Sequence, residues 1–389
     1  MNRFFSKYFL GDRVIWIIVV FLSVISVLAV YSSIGDLAYK YAGGDTTHYL
    51  FRHVKFLLAG FIIMYGIHRM PYKVFFSLSQ IIITVSILLL FFTLIMGVSR
   101  NDATRWLVIP GLGFEFQTSD IAKFGTIVYI ARVLSMSQES ELDLHNAFTK
   151  ILIPLGIVCT LIFPSNFSTA VLLFATAMAL MFIGRIDGKK LLMLAGALIV
   201  LLAFVILIAM VSPGKGRMKT WSNRIEHFIN DDTQDDYQAN LAKIAIATSG
   251  PIGKGPGNSA VRYSLPQAYS DFIFAIITEE WGSIMAFFIL ASYLILLYRT
   301  GLIVKKTKRT FAAFLAIGIV MLLVFQALTN ITVAVGLLPV TGQPLPLISM
   351  GGTSLIITFG SLGIVLSISR SLSEDTVPEP EIEEITVIK

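Results

Sequence analysis

The sequence predicts an all-α integral membrane protein of about ten transmembrane helices, with one long non-cytoplasmic loop between the seventh and the eighth. Three observations predict it. Of 389 residues, 56% are hydrophobic and only 14% are charged, whereas a soluble domain carries about 25% charged residues. The apolar residues gather in runs approaching the roughly 20 that a helix needs to cross the hydrocarbon core. The excess of cations sits in the loops between these runs. These features exclude a soluble globular enzyme, a disordered scaffold and a disulfide framework. The single cysteine, Cys159, can neither pair within the chain nor build a thiolate metal site. A formal charge of +6 weakly suggests nucleic acid, but here the excess sits in loops, where charge sets orientation. No nucleic-acid partner is expected.

The first run, Arg13–Ile34, follows a basic stretch but precedes no small-residue cleavage site, so it reads as a retained helix rather than a signal peptide. Leu50–His68 and Val74–Met96 come next, then two shorter runs at Ser119–Leu134 and Ile151–Phe163. Phe167–Gly184 and Leu191–Val211 are the sixth and seventh. After residues 212–270, the only long polar stretch, come Asp271–Tyr298, Phe311–Leu337 and Ser349–Ile368. Arg3, Lys7, Arg13, Arg69, Lys73, Arg185, Lys189, Lys190, Arg299, Lys305, Lys306, Lys308, Arg309 and Arg370 all fall on one side of this arrangement. The positive-inside bias makes that side cytoplasmic, with both termini inside. Residues 1–370 then form one membrane domain, and the acidic, proline-containing 371–389 reads as a disordered cytoplasmic tail.

The chemistry is expected on the opposite side, in residues 97–118 and 212–270. The chain has no phosphate-cradling GxxxxGK[ST], no HExxH and no Cys/His cluster, and its five histidines are scattered. In LPQAYSDFIFAIITEEWG, residues 265–282, Asp271 ends a polar segment just where a helical pattern begins. It reads as an N-cap or as a carboxylate at the outer mouth of a cavity, fit to act as a general base. Glu279 and Glu280 lie about 12–14 Å deeper, where a carboxylate is costly and a functional candidate. Their directions differ by about 100°, so one is expected to face the cavity, Glu280 in preference.

Arg105-Trp106 reads either as an interfacial anchor or as part of the site. Asp120 and Lys123 can pair at i,i+3. Alternatively Lys123, beside Gln117 and Ser119 at a helix start, suits a phosphate-bearing ligand. In the long loop, Arg217, Lys254, Arg262 and other cations outweigh what the local aspartates can pair. Ser249–Ser259 reads as a glycine-rich loop without a ligand. Gly336–Ser354 reads as non-helical backbone at membrane depth, tolerated only where protein or a watery cavity covers it.

These segments, in this order, resemble the SEDS family (shape, elongation, division and sporulation), the polytopic peptidoglycan polymerases. The matching residues are Arg105-Trp106, FQTSDIAK at 116–123, Tyr237-Gln238, the stretch around Asp271, and PLPLISMGGTS at 344–354. The resemblance implies ten helices in the bacterial cytoplasmic membrane and a glycosyltransferase that polymerises lipid II at the outer face. It implies Asp271 as the catalytic residue. The substrate-binding candidates are then Arg105, Trp106, Gln117, Ser119, Lys123, Arg217, Tyr237, Gln238, Arg262, Glu280 and Ser349. No cofactor is evident, though a divalent ion could share in neutralising pyrophosphate. Implied partners are lipid II and the nascent strand, membrane lipids, a class B penicillin-binding protein and other divisome proteins. Departures occur at Thr118 and Asp120, where the family usually has Pro and Glu, and at Asn166, where it usually has Asp. PVTG at 339–342 is closer to the elongation-type RodA form, whereas GKGPGNS followed by LPQAYSDF resembles the division-type FtsW branch, and the balance falls on division. A lipid II flippase is the alternative from another class.

Overall fold

The computed structural model describes residues 10–35, 37, 39, 45–100, 103–109, 114–138, 141–211, 237–265 and 268–374. In chain order the helices are α1 (Arg13–Ser33), α2 (Thr46–Arg69), α3 (Lys73–Met96), α4 (Thr118–Met136), α5 (Glu141–Ile162), α6 (Phe167–Ile183) and α7 (Gly188–Val211). They continue with α8 (Tyr237–Ala247), α9 (Ile273–Lys306), α10 (Thr310–Ala334) and α11 (Gly352–Glu374). Each of the ten apolar runs falls on one helix. Among the described residues, seven helices, α1–α3, α5 and α9–α11, are long and apolar enough to cross a membrane. Of the others, α6 has only 17 residues, and α4 carries Asp120, Lys123 and Arg132. The chain is a multi-pass membrane protein.

The all-α expectation needs one correction. Between α3 and α4 lies a three-stranded antiparallel sheet in the order β1 (Val98–Arg100), β2 (Ala103–Ile109) and β3 (Phe114–Gln117). Trp106 faces Val98 on one neighbour and Gln117 on the other. Aromatic and β-branched residues in ATRWLVI and FEFQ favour extended backbone, but strands this short vanish in a search for 20-residue runs. The long polar segment also differs from a plain loop, because it contains α8, which packs on α9 and α10.

Helices in lipid gain little from apolar contact alone, so small residues that admit close approach matter. Accordingly α2 lies along α11, where a Cβ on Gly60 would come within 2.4 Å of Phe359 and one on Gly363 within 2.7 Å of the Met64 carbonyl. The most buried span is α10, enclosed by α4, α6 and α9. At the end assigned to the cytoplasm, Asp12 caps α1 by accepting from Val14 N at 2.9 Å and Ile15 N at 3.3 Å. Its second oxygen holds Arg299 of α9 at 2.6 Å.

A break in α9 shapes the other end. Gly282 has φ 81° and ψ 175°, a backbone that favours glycine, and it interrupts the bonds that Ser283 N and Ile284 N would make to the carbonyls of Glu279 and Glu280. The glycine-rich loop supplies replacements. Lys254 N and Gly255 N donate to the Glu279 and Glu280 carbonyls, both at 2.9 Å. Ser283 N and Ile284 N donate to the carbonyls of Gly250 at 3.0 Å and Pro251 at 3.3 Å. The segment read as a loop without a ligand is thus a backbone graft that satisfies a broken membrane helix, as buried amides require.

Candidate active site

Asp271 sits in the turn just before α9, half-buried. The N-cap position falls on Phe272, without a side-chain cap, so the capping role expected of Asp271 is not how α9 begins. The turn is held from several sides instead. Ser270 Oγ donates to Asp271 Oδ1 at 2.9 Å. From α10, Asn330 Nδ2 donates to the Asp271 carbonyl at 2.8 Å and to the Gln343 carbonyl at 2.7 Å. Ser349 Oγ donates to the Ser270 carbonyl at 2.6 Å and accepts from Leu345 N at 2.8 Å, and Met350 N donates to the Tyr269 carbonyl at 2.9 Å. A Cβ on Gly342 would lie 3.5 Å from Asp271 Oδ2, so the non-helical segment 342–350 lines the carboxylate. Beneath it, Val261, Leu265, Ala268, Phe272, Ala275 and Ile276 pack with α8 and Val333 into a small apolar core.

The same segment reaches further into the bundle. Gln343 Nε2 donates to Thr169 Oγ1 at 2.6 Å and to Asn166 Oδ1 at 3.4 Å, while Asn166 caps α6 through Thr169 N at 3.2 Å. One turn before Asn330 on α10, Gln326 donates to the Pro344 carbonyl at 2.9 Å and accepts from Lys123 Nζ at 3.1 Å. Lys123 also pairs with Asp120 at 2.8 Å. Both charges are buried, a placement that is stable only with partners. The i,i+3 pairing reading of Lys123 therefore describes its geometry, and this ammonium reaches the site through Gln326.

The other predicted residues fall in three groups. Gln117 Nε2 donates to Ser119 Oγ at 2.8 Å, and Gln117 N donates to Thr353 Oγ1 at 3.4 Å, joining β3 to the start of α11. Arg105 Nε donates to the Ser165 carbonyl at 2.8 Å, and Trp106, beside it on β2, is half-buried. On the other flank, Arg262 stacks on Tyr263 at 4.6 Å and donates to its hydroxyl at 2.9 Å, and Tyr237 and Gln238 begin α8. Arg217 lies outside the described residues.

The expectation for Glu280 is corrected. It is 1% exposed and accepts from Ser32 Oγ of α1, so it faces a neighbouring helix rather than a cavity. Glu279, the less favoured of the two, accepts from Lys254 Nζ at 2.6 Å, Ser259 Oγ at 2.5 Å and Ala260 N at 3.2 Å. The break at Gly282 brings the loop onto α9 there, and the angular argument for a straight helix could not foresee it. Among the described residues no three His, Cys, Asp or Glu side chains gather into a metal-binding group.

Residues 12–374 match the FtsW–RodA–SpoVE family of cell cycle proteins. The chain belongs to this family. As an FtsW–RodA–SpoVE protein it is 31% identical to the probable peptidoglycan glycosyltransferase FtsW of Coxiella burnetii, over 91% of this chain and 95% of that one. It is 32% identical to the probable peptidoglycan glycosyltransferase FtsW of Saccharophagus degradans, over 92% of each. Its fold is similar to that of a chain in a peptidoglycan synthase complex that coordinates polymerization and crosslinking. That match has a TM-score of 0.73 at 24% identity and covers 94% of this chain and 99% of that one. It is similar as well to the rod shape determining protein RodA of Thermus thermophilus. There the TM-score is 0.67 at 22% identity, covering 93% of this chain and 97% of that one.

Sequence reading missed Asn330, Gln326 and Gln343. A signal was present: two amides four residues apart in an otherwise apolar run mark one polar face at membrane depth.

Proposed function

We propose that this chain is a division-type peptidoglycan glycosyltransferase that polymerises lipid II at the outer face of the cytoplasmic membrane, with Asp271 as general base. The observation that carries the reading is the clamp on the Asp271 turn by Asn330, Ser349 and Ser270. It fixes a half-buried carboxylate where a polar segment enters the membrane. Asp271 takes the proton from the sugar 4-hydroxyl of the acceptor. That oxygen attacks the anomeric carbon of the growing strand, the glycosidic bond forms with inversion, and undecaprenyl pyrophosphate leaves with the bonding electrons. A positioned base contributes about 10²–10⁴-fold, and fixing two lipid-anchored substrates in one place adds through orientation. Arg105, Arg217 and Arg262 are the cations assigned to the leaving pyrophosphate, with Trp106, Gln117, Ser119, Tyr237 and Gln238 lining the substrate path. Lys123 acts through Gln326, and Ser349 holds the catalytic turn.

In this reading ten helices span the membrane. Both termini and the tail 371–389 are cytoplasmic, and residues 212–270 lie outside between the seventh and eighth spans. The family relatives support the division role, and the similarity to a chain of a synthase complex supports a class B penicillin-binding protein as partner. Lipid II, the nascent strand and other divisome proteins complete the expected contacts. The test is polymerisation of labelled lipid II by purified protein, with and without that partner. Asp271→Asn should retain fold and lipid binding while forming no glycan chains. Normal chain synthesis by this variant would end the proposal, and lipid scrambling that it leaves unaffected would favour the flippase.

A further inference from the structure

We propose that the outer half of α2 is a binding site for the head group of an anionic, phosphate-bearing lipid. Arg52 and Lys55 would take the phosphate, and Leu58 and Ile62 would take the chain. His48, Phe51, Arg52 and Lys55 line a groove of about 380 Å³ on this helix, and all four are exposed. Neither Arg52 nor Lys55 makes an ion pair or hydrogen bond among the described residues. The nearest acid in sequence, Asp45, accepts from Thr47 N at 2.9 Å and Thr47 Oγ1 at 2.5 Å at the helix start.

Position makes these two cations unusual. Lys55 lies five residues into the apolar run Leu50–His68, about 7–8 Å along the axis, on a helix long enough to cross the membrane. A lipid-facing charge inside the span is costly unless it reaches the interface or meets an opposite charge, and among the described residues no acid pairs with either cation. The orientation proposed above puts Arg52 and Lys55 in the outer half of the span. Below them the helix surface turns apolar, with Leu58 59% and Ile62 73% exposed. Phe51, Lys55, Leu58 and Ile62 follow one another at helical spacing, so a charged head above and a hydrocarbon chain below fit one strip.

Other faces of α2 connect to the catalytic region. Phe56, next to Lys55, is the side chain that a Cβ on Gly352 would meet at 3.0 Å. From the buried side of α2, His53 Nε2 bonds Ser26 Oγ at 2.8 Å, and that hydroxyl donates to the Ile348 carbonyl at 2.6 Å. A lipid held here is thus separated by α2 from the 342–350 segment that lines Asp271.

The site rests on the proposed orientation and is tested without using activity. Native mass spectrometry of the full chain in micelles is expected to show one retained phosphatidylglycerol or polyprenyl pyrophosphate, in preference to phosphatidylcholine. Arg52→Gln/Lys55→Gln should lose about tenfold or more of that retention. The charge-preserving Arg52→Lys/Lys55→Arg should keep it, and both should unfold at the wild-type temperature. Preference for phosphatidylglycerol would assign a bulk anionic lipid, and preference for the pyrophosphate a substrate-side site. Equal retention by wild type and the glutamine variant, or no preference over phosphatidylcholine, overturns the proposal. Asp271→Asn should bind as wild type does, so loss of the polymerase reading and loss of this site are read separately.

Discussion

Asn330 is the residue on which the catalytic turn depends most. One amide group bonds two carbonyls, those of Asp271 and Gln343, from the interior of an apolar helix. Replacing it by alanine leaves both acceptors buried without their donor, at about 1–3 kcal/mol each, and lets the turn drift. A shift of a fraction of an ångström in a positioned base is costly to rate, so Asn330→Ala should lower polymerisation turnover by about 10- to 100-fold. Lipid binding should be nearly unchanged. Single-turnover kinetics beside a binding titration separate the two, and an equal loss in both would mean that Asn330 merely maintains the fold. Asp271 was legible in the sequence because a lone carboxylate at a polar-to-apolar boundary is conspicuous. Asn330 was less so, since an amide within an apolar run does not reveal which carbonyl it will meet.

At the scale of the element, the interruption of α9 decides how the outer loop is held. A Cβ on Gly282 would fall 2.1 Å from the Pro251 carbonyl, and one on Gly253 would fall 2.4 Å from the Glu280 carbonyl. Gly282→Ala therefore meets backbone on one side and a disfavoured φ on the other, the latter alone costing about 1–3 kcal/mol. It should lower the unfolding temperature and free residues 249–260 for proteolysis. Gly301 lies in the same helix with open space beside it. There Gly301→Ala should leave the temperature unchanged or raise stability by about 0.5–1 kcal/mol. If the two variants melt alike, the graft contributes nothing to stability. The glycines of residues 249–259 announced a turn in the sequence. Their role as a splint did not show, because their hydrogen-bond partners lie about 30 residues further along the chain.

For the molecule as a whole, the proposed orientation makes a direct prediction. In a Cys159→Ser background, Lys306→Cys should react with a membrane-impermeant maleimide only after the cells are opened. Thr248→Cys should react in intact spheroplasts. The opposite pattern would invert every assignment of inside and outside. Since Cys159 is the single cysteine, one replacement clears the background.

The sequence alone determined the membrane class, the ten apolar runs, the charge asymmetry and the candidate aspartate. Each depends on composition or on spacing within one segment, and hydrocarbon imposes that local pattern directly. Tertiary structure decided the small sheet, the grafted break in α9, the burial of Lys123 and Glu280, and the contact of Asn330 with the Asp271 turn. In each case a buried polar group needs a partner, and only folding shows which distant part of the chain supplies it.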